Sequence, residues 1–180
     1  MNFSSVSGKK WLFKKFDSSD VSKFSEDFSL TEMVAKLLSI RKKNIHDVKL
    51  FLNPKIKNLL PNPMHLKDMN KAVDRTYQCI KKNEMIGIFG DYDVDGASST
   101  AILTRYFQSI KQKIQTYIPD RQKEGYGPNS IGFNNLINLG VKVIFTVDCG
   151  TLSFEPINFA QKKNVDVIVL DHHQSDIKLP

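Results

Sequence analysis

The stretch MIGIFGDYDVDG, residues 85–96, decides how this chain folds and where its chemistry sits. Its first five residues are apolar without polar alternation, the pattern of a strand buried on both faces. At Gly90 the run gives way to Asp91, Asp93 and Asp95, followed by Gly96. Two later junctions have the same character. VKVIFTV (141–147) runs into Asp148-Cys149-Gly150, and VDVIVL (165–170) runs into Asp171-His172-His173. A further strand is expected at 114–118, with helices near 97–110, 131–139 and 155–163. Strands of the buried type separated by helices predict an α/β fold, a parallel β-sheet flanked by helices. In such a sheet the ligand crevice lies beyond the carboxyl ends of the strands. Residues 91–95, 148 and 171–173 are therefore delivered to one rim.

Five carboxylates and two imidazoles on one rim repel one another and need counter-charge. A divalent cation supplies it, and mixed carboxylate and imidazole donors suit Mn²⁺ or Mg²⁺. Two such ions would clamp the attacking and leaving oxygens of a phosphoryl centre. Each piece alone has a plainer explanation. DxDxDG matches the opening of an EF-hand loop, but the twelfth loop position is Ile102 and a strand, not a helix, precedes it. A lone Asp148 is a common helix cap, and His172 and His173 alone could be loop histidines. Three strand ends that all finish in ligand-type residues outweigh these readings. The segment Gly96-Ala-Ser98-Ser99-Thr100 opens a helix that either holds an anionic oxygen or is capped by a serine. In the loop 120–127, Arg121 can take a phosphate bidentately and Tyr126 can stack on a base or sugar; a surface turn is the alternative.

The front of the chain has a different texture. Residues 1–84 carry 17 Lys+Arg against 9 Asp+Glu, a balance of +8, while residues 85–180 balance at −1. A basic front can bind a polyanion or simply solubilise the chain. Residues 1–28 are polar and irregular, with Trp11, Leu12, Phe13 and Phe16 as anchors. Ser29 to Glu32 reads as a capping box for a helix with Leu30, Val34, Leu37 and Leu38 on its apolar face. A short helix over 45–52 stops before Pro54. Leu66, Met69, Val73, Tyr77 and Ile80 mark an amphipathic helix to about Lys82. The chain thus divides into a basic helical region, 1–84, and an α/β domain, 85–180. No apolar run reaches the roughly 20 residues of a membrane span, and no secretory signal pattern opens the chain. Cys79 and Cys149 are far apart, which fits a reducing, cytoplasmic setting.

With GDYDVDGASST, YIPDRQKEGYGPN, VDCG and Asp171-His172-His173 in order, the sequence resembles the DHH phosphoesterase superfamily. Within it the motifs, and the helical front from about Trp11, look like the RecJ branch. That resemblance implies Mn²⁺- or Mg²⁺-dependent hydrolysis of phosphodiesters from the 5′ end of single-stranded DNA, in recombination and repair. It implies metal ligation by Asp93, Asp95, Asp148 and His172, with Asp148 bridging two ions and His173 beside the scissile phosphate. Asp91 is expected to orient the loop, and Ser98, Ser99, Arg121 and Tyr126 to touch substrate. Single-stranded DNA is the expected partner, with a helicase and a single-strand-binding protein beside it and no membrane. The resemblance also implies a further metal-binding aspartate, a DHHA1 domain and an OB-type domain, none of which falls within residues 1–180. The expectation is accordingly a fragment or truncated form that binds metal weakly and cuts slowly or not at all.

Two other functions compete. One is a DHH relative acting on short oligonucleotides or cyclic dinucleotides, which would be expected to lack the basic helical front. The other is a non-catalytic module that binds DNA or a partner, whose mark would be missing ligands.

Overall fold

The computed structural model describes residues 3–12, 14–41 and 43–180. The described residues form two compact units that divide between Asn62 and Pro63.

The first unit opens with two short antiparallel strands, β1 (Phe3–Ser4) and β2 (Lys10–Trp11). Four helices come next: α1 (Ser18–Phe28), α2 (Glu32–Ile40), α3 (Ile45–Leu52) and α4 (Ile56–Leu59). Its small core is Val21, Phe24, Ala35, Leu38 and Val48. Helix α1 corrects the expectation of an irregular start. Val21, Phe24 and Phe28 recur at spacings of three and four inside a polar stretch, and Asp17 caps the helix by accepting from the Ser19 amide at 2.8 Å. The expected capping box at Ser29 does not form. Ser29 instead closes α1 in the left-handed conformation (φ 52°), and Thr31 begins α2 without a side-chain bond. Ala35 and Leu38 are buried, while Val34 and Leu37 face solvent. Leu12 is 72% exposed, so it anchors nothing. Phe13 and the Trp11 side chain lie outside the described residues.

The second unit holds the four-stranded parallel sheet. Its strands are β3 (Met85–Gly90), β4 (Ile114–Tyr117), β5 (Val141–Val147) and β6 (Asp166–Leu170), in the order β4-β3-β5-β6. Helix α5 (Met69–Lys81) precedes β3, and α6 (Val94–Ser109) links β3 to β4. The short α7 (Arg121–Glu124) and α8 (Ser130–Asn138) link β4 to β5, and α9 (Phe154–Lys162) links β5 to β6. One face of the sheet packs Cys79 of α5 and Phe107 of α6 over Ile86, Ile88, Val143 and Phe145. The other packs Phe133 and Leu136 of α8 and Ile157 of α9 over Phe89 and Ile144. The apolar runs in β3 and β5 are thus covered on both faces, as their lack of alternation predicts.

Helix α5 sits differently from its pattern. Val73 and Tyr77 face solvent, and the buried residue is Cys79. Arg75 donates to Asp166 of β6 at 2.5 Å and pairs with Glu84 at 2.9 Å. This ion network and the burial of Cys79 make α5 part of the sheet's compact unit. The sheet's topology reverses between β3 and β5: β4 lies on one side of β3 and β5 on the other. The helices that leave these two strands lie on opposite faces, which opens a crevice at their carboxyl ends. Asp91 and Asp148 stand there.

Candidate metal centre

Asp91 is 1% exposed, and its Oδ1 is buried without a hydrogen-bond partner among the described residues. Burial raises its pKa, helped by the neighbouring charge of Asp93. Asp93 is the N-cap of α6 and accepts from the Gly96 amide at 2.9 Å. That bond holds its pKa below the ordinary carboxylate range. Asp148 is 6% exposed and adopts a left-handed backbone (φ 60°), which aspartate tolerates better than most residues. Burial, then the Asp93 carboxylate beside it, raises its pKa.

Oxygens of Asp91, Asp93 and Asp148 come within 4.8 Å of one another, as do ligand atoms of Asp148, His172 and His173. Asp148 belongs to both groups. His172 Nε2 lies 3.0 Å from Asp148 Oδ1. Three carboxylates this close, one with an orphaned buried oxygen, lack the counter-charge that such burial demands. A divalent cation fits the donor set: hard carboxylate oxygens with imidazole nitrogen.

Asp171 has a different task. Its carboxylate accepts from the Thr151 amide at 3.0 Å and hydroxyl at 2.6 Å. It also accepts from the His173 amide at 3.1 Å and contacts His173 Nδ1 at 2.7 Å. Burial works against ionisation here, but these bonds outweigh it and hold the carboxyl down to about 2. Asp171 therefore ties the loop after β5 to the loop after β6. The same carboxylate raises the pKa of His173.

A loop covers one side of the centre. Tyr126 places its hydroxyl 3.3 Å from the His173 ring nitrogens, and burial pushes its pKa up to about 12. It thus stays protonated as a donor. Arg121 lies over the ring of Tyr92 at 5.2 Å. Cys149, beside Asp148, is fully buried, and burial pushes its thiol up, so it is no nucleophile.

Not every expected residue joins. Asp95 is in the first turn of α6, exposed and outside both ligand groups, whereas Asp91 is inside one. Ser98 and Ser99 lie within α6, which starts at Val94 and is capped by Asp93, so neither serine caps it. Asp171, expected among the rim carboxylates, lies outside both ligand groups and instead bonds Thr151 and His173, whereas Tyr92 and Thr151 are contributors that the sequence does not single out. Their signal was position alone, next to a strand-end ligand.

Gly96 is a spatial requirement of this turn. A Cβ there would stand 2.3 Å from the Asp91 carbonyl oxygen and 2.6 Å from its Cα. Gly96→Ala must push the two segments apart. The expected cost is about 1–3 kcal/mol, read as a lowered Tm, together with weakened metal binding because Asp91 moves.

Residues 85–180 match the DHH family, N-terminal domain. The chain belongs to the DHH family. Among curated relatives it is similar to the single-stranded-DNA-specific exonuclease RecJ of Bacillus subtilis, 36% identical over 176 residues. That alignment covers 97% of this chain and 22% of the relative. The RecJ of Escherichia coli is 32% identical over 130 residues, covering 72% of this chain and 22% of that protein. The chain thus spans about a fifth of the length of these relatives. A crystal structure of exonuclease RecJ bound to manganese superposes with TM-score 0.60 at 30% identity, covering 64% of this chain and 30% of that one. RecJ of Thermus thermophilus in complex with Mn²⁺ gives TM-score 0.58 at 20% identity over 93% of this chain and 23% of that one, a likeness of fold. The resemblance to RecJ within the DHH family is borne out. No helix among the described residues is long and apolar enough to cross a membrane.

Proposed function

We propose that this chain carries the metal-holding front of a single-strand-specific 5′→3′ exodeoxyribonuclease that works in the cytoplasm in DNA recombination and repair. The observation that supports it is Asp148, shared between a carboxylate group and a histidine group on one rim. Its cofactor is Mn²⁺ or Mg²⁺, as two ions. Asp91, Asp93, Asp148 and His172 are the ligands, and Asp95 adds its charge from the first turn of α6. The basic 1–84 region favours a polyanionic substrate over a dinucleotide. In this role the protein acts beside a helicase and a single-strand-binding protein.

When bound, such ions supply the Lewis acidity that activates water and offsets charge growing on the phosphoryl oxygens. The chain's own residues do the rest. Asp171 accepts a hydrogen bond from the Nδ1–H of His173 and so fixes the tautomer that leaves Nε2 free beside the phosphate. Tyr126, kept protonated, donates to a phosphate oxygen. The test is digestion of a 5′-phosphorylated single strand, the matching duplex and a dinucleotide with Mn²⁺. Mononucleotides should leave the single strand from its 5′ end, with the duplex spared. Preference for the dinucleotide would contradict the reading.

Metal binding should also register as stability. Burial raises Asp91 and Asp148 above the ordinary 3.8, so without metal their charged forms oppose folding at neutral pH. Protonation relieves this as pH falls through the raised values, but a metal needs the carboxylates ionised. Mn²⁺ at about 100 times its Kd should therefore add about 2.7 kcal/mol at pH 7.5, a Tm rise of several degrees. That increment should shrink steadily as pH is lowered, as paired melts with Mn²⁺ and with EDTA would record.

A further inference from the structure

We infer that Tyr92 is a positioning residue: its ring is the platform that holds the Arg121 guanidinium at the rim of the metal centre, where it grips a backbone phosphate of the single strand beside the one being cut. This rests on the exonuclease reading above. The Arg121 guanidinium carbon lies 5.2 Å from the Tyr92 ring centroid. Its side chain is exposed, its charge acts on Asp91 at longer range, and among the described residues it makes no ion pair within 4.0 Å. Its neighbour Lys123, by contrast, pairs with Asp120 at 3.6 Å. An arginine held over a ring by cation–π attraction still offers N–H donors in the fork that fits a phosphate.

Both ends of the pair are fixed. Tyr92 comes directly after Asp91, and Arg121 opens α7, whose cap Asp120 accepts from the Gln122 amide at 2.9 Å. Edge contacts extend the arrangement towards the centre. Tyr92 meets Tyr126 at 6.4 Å, and Tyr126 meets His173 at 5.8 Å. The cation over Tyr92 thus stands on the same chain of ring contacts as His173. Tyr92 is only half-buried, so its ring is available as a platform and is not consumed by the core. Any aromatic ring can fill this role, and an aliphatic side chain cannot.

The test measures binding of a 3′-labelled, 5′-phosphorylated oligothymidylate to the full chain by fluorescence anisotropy, with Ca²⁺ replacing Mn²⁺ to hold back cleavage. Arg121→Ala should weaken binding about tenfold and reduce the salt slope by about 0.7, the loss of one single-strand phosphate contact. Tyr92→Leu should give most of both losses, and Tyr92→Phe neither. The double variant should bind no more weakly than Arg121→Ala alone. Mn²⁺ titration of Tyr92→Leu should match the unaltered protein. Unchanged binding by Tyr92→Leu, equal loss in Tyr92→Phe, or additive losses in the double variant would overturn the role of Tyr92 alone. Failure of the unaltered protein to bind the strand would overturn the exonuclease reading with it.

Discussion

Asp148→Asn should lower metal-dependent hydrolysis at least about a thousandfold while the protein stays folded. Asp148 is the one residue common to both ligand groups, so in the proposed two-ion centre its loss would cost both ions a charged ligand at once. A metal that supplies several kcal/mol of transition-state stabilisation corresponds to a thousandfold or more, at one decade per 1.36 kcal/mol. Asparagine is the informative substitution because it keeps the shape and tolerates the left-handed backbone at φ 60°, where alanine would add strain of its own. It also removes a buried charge facing Asp93, which in the metal-free protein is an unfavourable pair. The variant should therefore melt no lower than the unaltered protein in EDTA, and should lose the stabilisation that Mn²⁺ confers. Activity assays and paired melts check the two halves. A variant that retains activity would remove Asp148 from the chemistry.

Asp171→Asn should cost about 10–100-fold in activity, the usual range for the loss of a partner that orients a site histidine from behind. All four partners of this carboxylate are donors: the Thr151 amide and hydroxyl, the His173 amide and the His173 ring. An asparagine presents an NH₂ to one pair of them, which loses its acceptor, at about 0.5–1.5 kcal/mol for each hydrogen bond at this partly exposed site. His173 then loses the acceptor that fixes its tautomer and ring angle. The pH dependence gives a second reading. The Asp171 pKa is depressed to about 2, below the ordinary 3.8, so its contribution to stability is complete above 3.8. It disappears as pH falls through about 2. The Tm gap between the unaltered protein and Asp171→Asn should hold from neutral pH down to about 4 and close below it. A gap that closes between pH 6 and 7 would assign the effect to histidine titration.

Strand ends were legible because they rest on two simple periodicities. A short apolar run without alternation, rich in β-branched residues and bounded by turn residues, reads as a covered strand, and the residues just beyond it stand at the crevice; this placed Asp91, Asp93, Asp148 and the 171–173 triplet on one rim. Which oxygens meet was not legible. Asp91, Asp93 and Asp95 are equivalent by spacing, and the start of α6 breaks the equivalence. With Asp93 as cap, Asp91 stays at the buried strand end, while Asp95 turns with the first helical residues towards solvent. Asp171 looked like one more ligand because its bonding partners come from a loop 20 residues earlier, at Thr151. In the front region the pattern misled for another reason. Helices α2 and α5 carry more apolar residues than their units bury, so Leu37, Val73 and Tyr77 face out. Conversely, α1 hid because two buried residues, Val21 and Phe24, suffice to dock a polar helix.

The central claim is that three strand ends combine into one centre holding two divalent ions through Asp148. Calorimetric titration of the chain with Mn²⁺ tests it most directly. The expected result is binding of two ions at neutral pH, with both events lost or severely weakened in Asp148→Asn and retained in Asp95→Asn more fully than in Asp91→Asn. No heat of binding from the unaltered chain, or binding indifferent to Asp148→Asn, would contradict the claim.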